Sequence, residues 1–149
     1  GETVGVWADG RDLGDATITA GEFTLPGGVE AEEIVYGKRM PWTVQTLRLM
    51  QIGSQDGSGL GRKVTIAEAF VDLLEAGEVN VGTPGGPSDL LRFENEAEED
   101  PYDPTPLRTG MFRIAVDDNW SNNGVLVISG ESMLPMTLRA VQLNIDGEP

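Results

Sequence analysis

The side chains able to do chemistry in this chain are almost all carboxylates. Asp and Glu number 25 against 10 Lys and Arg in 149 residues, and there is no His and no Cys. The commonest general base and metal ligand is therefore missing, and so is the thiolate. Ser-His and Cys-His nucleophile systems and zinc hydrolysis have nothing to be built from. What remains is paired-carboxylate chemistry of the kind that cleaves glycosidic bonds. Acids are so numerous here that no spacing singles out one pair. Trp7, Trp42 and Trp120 offer faces on which a sugar ring could stack, but a Trp in a β-rich chain more often anchors a core or an interface.

Metal binding and phosphate binding fare no better. Asp89, Glu94, Glu98, Glu99, Asp100 and Asp103 lack the alternating Asp spacing of a calcium loop, and Asp117–Gly124 lacks that loop's Gly at the sixth position and Glu at the twelfth. Ile52–Arg62 carries glycines at 53, 57, 59 and 61, but Gly61-Arg62-Lys63-Val64-Thr65 lacks the Lys-Ser or Lys-Thr order of a phosphate cradle. It reads as a hairpin loop. No catalytic residue, metal or cofactor is expected. At a formal charge of -15 the phosphate backbone of a nucleic acid is repelled, and the cations do not cluster beyond Lys38-Arg39 and Arg62-Lys63. No apolar run approaches the length of a membrane span. Neither nucleic acid nor membrane is expected as a specific partner.

The elements that would position any site read as β-strands. Turn signals recur at intervals of roughly ten residues, as in a sandwich or barrel. Thr3–Ala8 ends at the turn dipeptide Asp9-Gly10; Ala16–Thr19 turns at Ala20-Gly21 into Glu22–Leu25, and Pro26-Gly27-Gly28 breaks the chain. Glu33–Tyr36 and Trp42–Met50 follow as strands. Over Lys63–Val81 local propensity favours a helix capped by Gly77, whereas the alternation of Val64, Ile66, Glu68 and Phe70 with their neighbours favours a strand. The strand is the reading adopted. Thr83–Pro106, with five prolines and a run of acids, is expected as a long surface loop. Leu107–Asp146 reads as a three-stranded meander: a strand through Met111 to Val116, a polar turn, Val125–Ser129, and Thr137–Ile145. The fold expected is all-β, an antiparallel sandwich or barrel of about eight short strands with one long acidic loop (83–106), spanning 1–149 as one domain. Because the chain opens on Gly1, it is either a whole protein after loss of Met or the C-terminal part of a longer one.

In this order the residues resemble a known family. Ala8-Asp9-Gly10, Gly21-Glu22-Phe23-Thr24-Leu25, Ile34-Val35-Tyr36-Gly37 and Thr46-Leu47 match the strand and turn elements of the C-terminal domain of tail nozzle proteins of short-tailed phages, also called tail tubular or phage stabilisation proteins. Leu107-Arg108-Thr109-Gly110, Asp118 with Trp120, and Leu134-Pro135-Met136-Thr137-Leu138 resemble that family's later elements. The chain departs from the pattern at Gly37-Lys38-Arg39-Met40-Pro41-Trp42 and at Ser132-Met133. The resemblance implies a non-enzymatic virion structural protein, made in the host cytoplasm and placed in the phage tail. It would assemble with copies of itself and with other virion proteins, such as the tail adaptor or fibres, around the DNA exit channel. The rival readings are a capsid decoration (cement) protein and a carbohydrate-binding or adhesin sandwich.

Interaction residues are sought in the loops, where Arg and aromatic side chains are the usual anchors. Arg92, Phe93 and Tyr102 in the long loop and Trp120 in the turn are the candidates. The last strand carries its own expectation: Leu138, Leu143 and Ile145 should all be buried, so that an Asp at any of them prevents folding.

Overall fold

A computed structural model of the chain describes residues 1–49, 51–54, 57–59, 64–86, 88–92, 104, 106–116 and 124–147, with the backbone alone at 51–54, 57–59, 89, 92 and 147. The all-β expectation holds. Among the described residues twelve strands pair antiparallel throughout, and the sheets stay open instead of closing into a barrel. In chain order they are β1 (Glu2–Ala8), β2 (Arg11–Ile18), β3 (Ile34–Gly37), β4 (Trp42–Gln45), β5 (Gln51–Ser54), β6 (Gly57–Gly59), β7 (Val64–Ala76), β8 (Glu78–Gly82), β9 (Ser88–Arg92), β10 (Arg108–Ala115), β11 (Val127–Gly130) and β12 (Thr137–Gly147). They form sheets ordered β2-β1-β3, β10-β7-β12 and β4-β11-β8-β9, with β5-β6 as a separate hairpin.

The second and third sheets share one apolar core. Ile66, Ala69, Val71, Leu73 and Ala76 of β7 and Ile114 of β10 meet Val79 and Val81 of β8, Leu126, and Ile128 of β11. All are buried, and each Val, Leu or Ile among them is worth about 1.5–3 kcal/mol relative to exposure. β7 is the strand that sequence left between helix and sheet, and it is central to its sheet. It alternates in two phases. Val64 and Ile66 face inward, then a bulge at Ala67 re-phases the strand so that Ala69, Val71 and Leu73 do; the register against β12 slips at the same place. A second irregularity at Leu74-Glu75, where Glu75 adopts φ +50° and donates its backbone N–H to Thr109 Oγ1 (3.0 Å), brings Ala76 inward as well.

Gly77 then carries the chain from one sheet to the other. Its amide donates to the Pro135 carbonyl at 3.1 Å, and a Cβ placed there would lie 2.5 Å from Leu134 side-chain carbons. A helix C-cap was one sequence reading of this glycine; the crossover needs it for close approach instead.

Several expectations are corrected. The C-terminal strands are not a meander: β7 lies between β10 and β12, and β11 pairs with β4 and β8 in the other sheet. Each strand displays one apolar face, and a facing sheet buries it as well as an adjacent strand would, so the pattern located the strands but not their partners. Glu22–Leu25 is not a strand, because Ala20 (φ +54°) and Gly21 (φ +86°) close a tight turn bridging Thr19 to Glu22, and the chain then enters a 3-10 turn at Pro26–Gly28. β4 stops at Gln45, after which Thr46 exchanges hydrogen bonds with Leu126 through its amide and its hydroxyl, 2.9 Å each. The expected 83–106 loop contains β9, which pairs with β8 from Ser88 to Arg92. The stretch 52–62, expected as a hairpin loop, holds instead the two short paired strands β5 and β6, its residues 55–56 and 60–62 lying outside the described ones.

The β2-β1-β3 sheet has a core of its own. Val4, Val6 and Ala16 are buried, with Leu13, Ile18, Phe23 and Leu25 packed against them. Its hairpin turns at Asp9 (φ +46°) and Gly10 (φ +85°), both left-handed as a two-residue loop between twisted strands requires. The Asp9 carboxylate accepts the amides of Glu32 (3.1 Å) and Glu33 (2.8 Å), which fixes the entry into β3.

Candidate functional site

Two features of the 34–47 segment stand out: an ion cluster that fastens it and an apolar surface that it presents. The cluster is built on Arg39, in the connection between β3 and β4. Its guanidinium grips Asp12 of β2 with two N–H groups, one donating to Oδ2 at 2.6 Å and the other to Oδ1, while Nε donates to Asp15 Oδ1 at 2.6 Å. A further N–H reaches the Glu131 carbonyl at 3.0 Å. Asp12 in turn accepts the amides of Gly14 (2.9 Å) and Met133 (2.8 Å) and the hydroxyl of Ser132 (3.2 Å). The arginine lies flat because β1 offers no side chain at Gly5, where a Cβ would meet Arg39 Cγ at 2.7 Å and Met133 Sδ at 3.2 Å.

Electrostatics follow from this geometry. Burial pushes the Asp12 carboxyl up, but the Arg39 hydrogen bonds, the Met133 and Gly14 amides and the Arg39 charge together outweigh it and hold the group below the ordinary aspartate range. Hydrogen bonding to Asp12, opposed by burial and reinforced by Asp15, holds Arg39 above the usual guanidinium value. With five donors on its two oxygens, Asp12 has its acceptor capacity filled. Such a carboxylate is a fastening, poorly placed to take a proton from a substrate. Elsewhere, Arg113 pairs with Glu68 and Arg139 with Asp72 (2.5 Å) on the exposed side of the β10-β7-β12 sheet; the Arg113 hydrogen bond holds Glu68 low. Among the described residues no group of three or more Asp or Glu could hold a metal ion.

The second feature is apolar. Ile34, Val35 and Tyr36 of β3, Met40 in the connection, Val44 of β4 and Leu47 beyond it are all exposed, with Tyr36 58%, Met40 81% and Leu47 88% accessible. β3 and β4 are each the outermost strand of their sheets, so among the described residues one long edge of each backbone is unpaired. Ile34, Val35 and Tyr36 are exposed consecutively, so both faces of β3 are uncovered. Phe23 packs a tilted ring against Tyr36 (centroids 5.2 Å apart, 59° between planes) and steadies it from one side.

Of the interaction residues expected from sequence, Arg92 ends β9 opposite Glu78, on a strand and not in a loop. Phe93, Tyr102 and Trp120 lie outside the described residues, as do the acids of 93–103 and 117–123. Trp7 and Trp42 are half-buried, and Trp42 lies over Gly130 of β11, where a Cβ would meet its indole at 2.8 Å. Sequence reasoning missed Arg39. Its signal was slight: one of the two adjacent cation pairs, Lys38-Arg39, in a chain so acidic that a cation has many possible partners. Neither a scan of family models nor a search of curated proteins finds a match to this chain.

Proposed function

We propose that this chain is a non-enzymatic structural protein of a short-tailed phage virion, a component of the tail nozzle that works by protein–protein contact around the DNA exit channel. The observation that carries the assembly role is the set of exposed apolar side chains Ile34, Val35, Tyr36, Met40, Val44 and Leu47, borne on and beside two strand edges that are unpaired among the described residues. Exposed apolar patches and unpaired strand edges are surfaces that proteins normally cover, and an assembling protein covers them with its neighbours. The nozzle in particular rests on the order of the sequence motifs: Asp9-Gly10 makes the first hairpin turn, Ile34–Gly37 is β3, Arg108-Thr109-Gly110 opens β10 and Leu134–Leu138 leads into β12, whereas Gly21–Leu25 and Thr46-Leu47 lie outside the strands the resemblance implied. The charge of -15 suits a wall past which DNA slides, since bound phosphates would slow passage.

Immunogold electron microscopy of virions from the source of the sequence tests this reading. Gold at the tail vertex is the expected result. Gold spread evenly over the head would replace the nozzle with a decoration protein, and virions without gold would return the adhesin reading to first place.

A further inference from the structure

The β2-β1-β3 sheet and the sandwich have separate cores that share no residue. Non-directional apolar packing therefore does little to fix the angle between them. Among the described residues, polar and directional contacts cross the boundary. Arg39 reaches back from the 38–41 connection to Asp12 and Asp15, and Ser132 and Met133, between β11 and β12, hold the same Asp12 carboxylate. Arg39 and Met133 also lie over Gly5, and Pro104 sits beside Gly10. A bidentate arginine–carboxylate pair fixes direction as well as distance. The pair also keeps access to water, with side chains 19% and 16% exposed, so it can open without either core being breached.

We propose that the Asp12–Arg39–Asp15 cluster, closed by Ser132 and Met133, is a latch that sets the orientation of the three-stranded sheet on the sandwich, and that opening it lets the sheet swing as a unit while both cores stay folded. The latch also sets the angle between the β3 and β4 edges, because the connection that joins those strands carries Arg39. The inference stands on the geometry of the joint and is independent of the phage reading.

The test measures orientation directly. The chain has no cysteine, so nitroxide labels at Thr17→Cys on β2 and Gln142→Cys on β12, both exposed, report one distance by double electron–electron resonance. With the latch intact the distribution is expected to be narrow. Arg39→Met and Asp12→Asn should each broaden it at least twofold, while Asp72→Asn, remote from the latch, should not. Amide exchange at Val6 and Val71 should stay within about threefold of the parent in the broadened variants, since opening a joint leaves both cores closed. Equal widths in parent and latch variants would overturn the proposal. So would loss of protection at Val6 or Val71, or failure of both latch variants to fold, because the cluster would then be part of a core.

Discussion

Gly5 has no side chain, and Arg39 lies where one would be. Alanine there must displace either the guanidinium stem or Met133, so Gly5→Ala should cost about 1–3 kcal/mol by overpacking, read as a shift in the urea midpoint. Asp12 makes the second residue-scale prediction. Its carboxyl is held below the ordinary aspartate range in the folded state, so its contribution to stability is present above that range and is lost as pH falls through the depressed value. Asp12→Asn should therefore lower stability at pH 7, by about 1–3 kcal/mol for the charged hydrogen bonds removed. The difference from the parent should shrink in thermal melts taken from about pH 5 downward. A constant difference down to pH 2 would disconnect Asp12 from the acid response. Neither residue was legible in the sequence as a partner of the other, because a contact between positions 12 and 39 leaves no periodicity to read.

Strands were legible where a short apolar, β-branched run lay between turn signals, as in Val125-Leu126-Val127-Ile128, of which Leu126 and Ile128 are buried. They became ambiguous where a bulge slipped the phase. Ile66 to Ala69 and Leu73 to Ala76 are each three apart and both face the core, a spacing that imitates one face of a helix. β12 slips in the same way at Arg139, so that Leu138 packs on the core with Val141 and Leu143; Ile145, opposite Ile66 near the end of the strand, stays exposed. The expectation that all three of Leu138, Leu143 and Ile145 are buried is thus corrected: the first two are partly buried against the core and the last is exposed. Leu143→Asp should prevent accumulation of folded protein, whereas Ile145→Asp should fold and melt within about 1 kcal/mol of the parent. Circular dichroism on the two purified variants separates the outcomes. The crossover at Gly77 was not read from the sequence, which took Lys63–Val81 as one strand; its reason, the Leu134 side chain pressed against Gly77, lies more than fifty residues further on.

For the molecule as a whole, charge and edge exposure pull in opposite directions. Copies carrying -15 each repel at low ionic strength, while the uncovered 34–47 segment favours association. On the assembly reading, raising salt from about 20 to 500 mM should strengthen self-association roughly tenfold or more as the Debye length shrinks below the charge spacing, measurable by sedimentation velocity. Val35→Lys on the β3 edge should abolish the increase, and a variant that associates like the parent would place the contact elsewhere.

The central position of β7 also governs how the chain comes together in time. It is synthesised before both strands that flank it, and its second neighbour, β12, comes last among the strands described. A nascent chain must therefore carry Val64–Ala76, apolar on one side, with both edges unpaired until β10 emerges and with one edge still unpaired until β12 follows. Such non-local pairing makes folding slow, on the order of milliseconds to seconds, and leaves the incomplete chain prone to aggregate. A chain ending before Thr137 should accumulate in the insoluble fraction, and supplying residues 137–147 as a peptide during refolding should return part of it to solution.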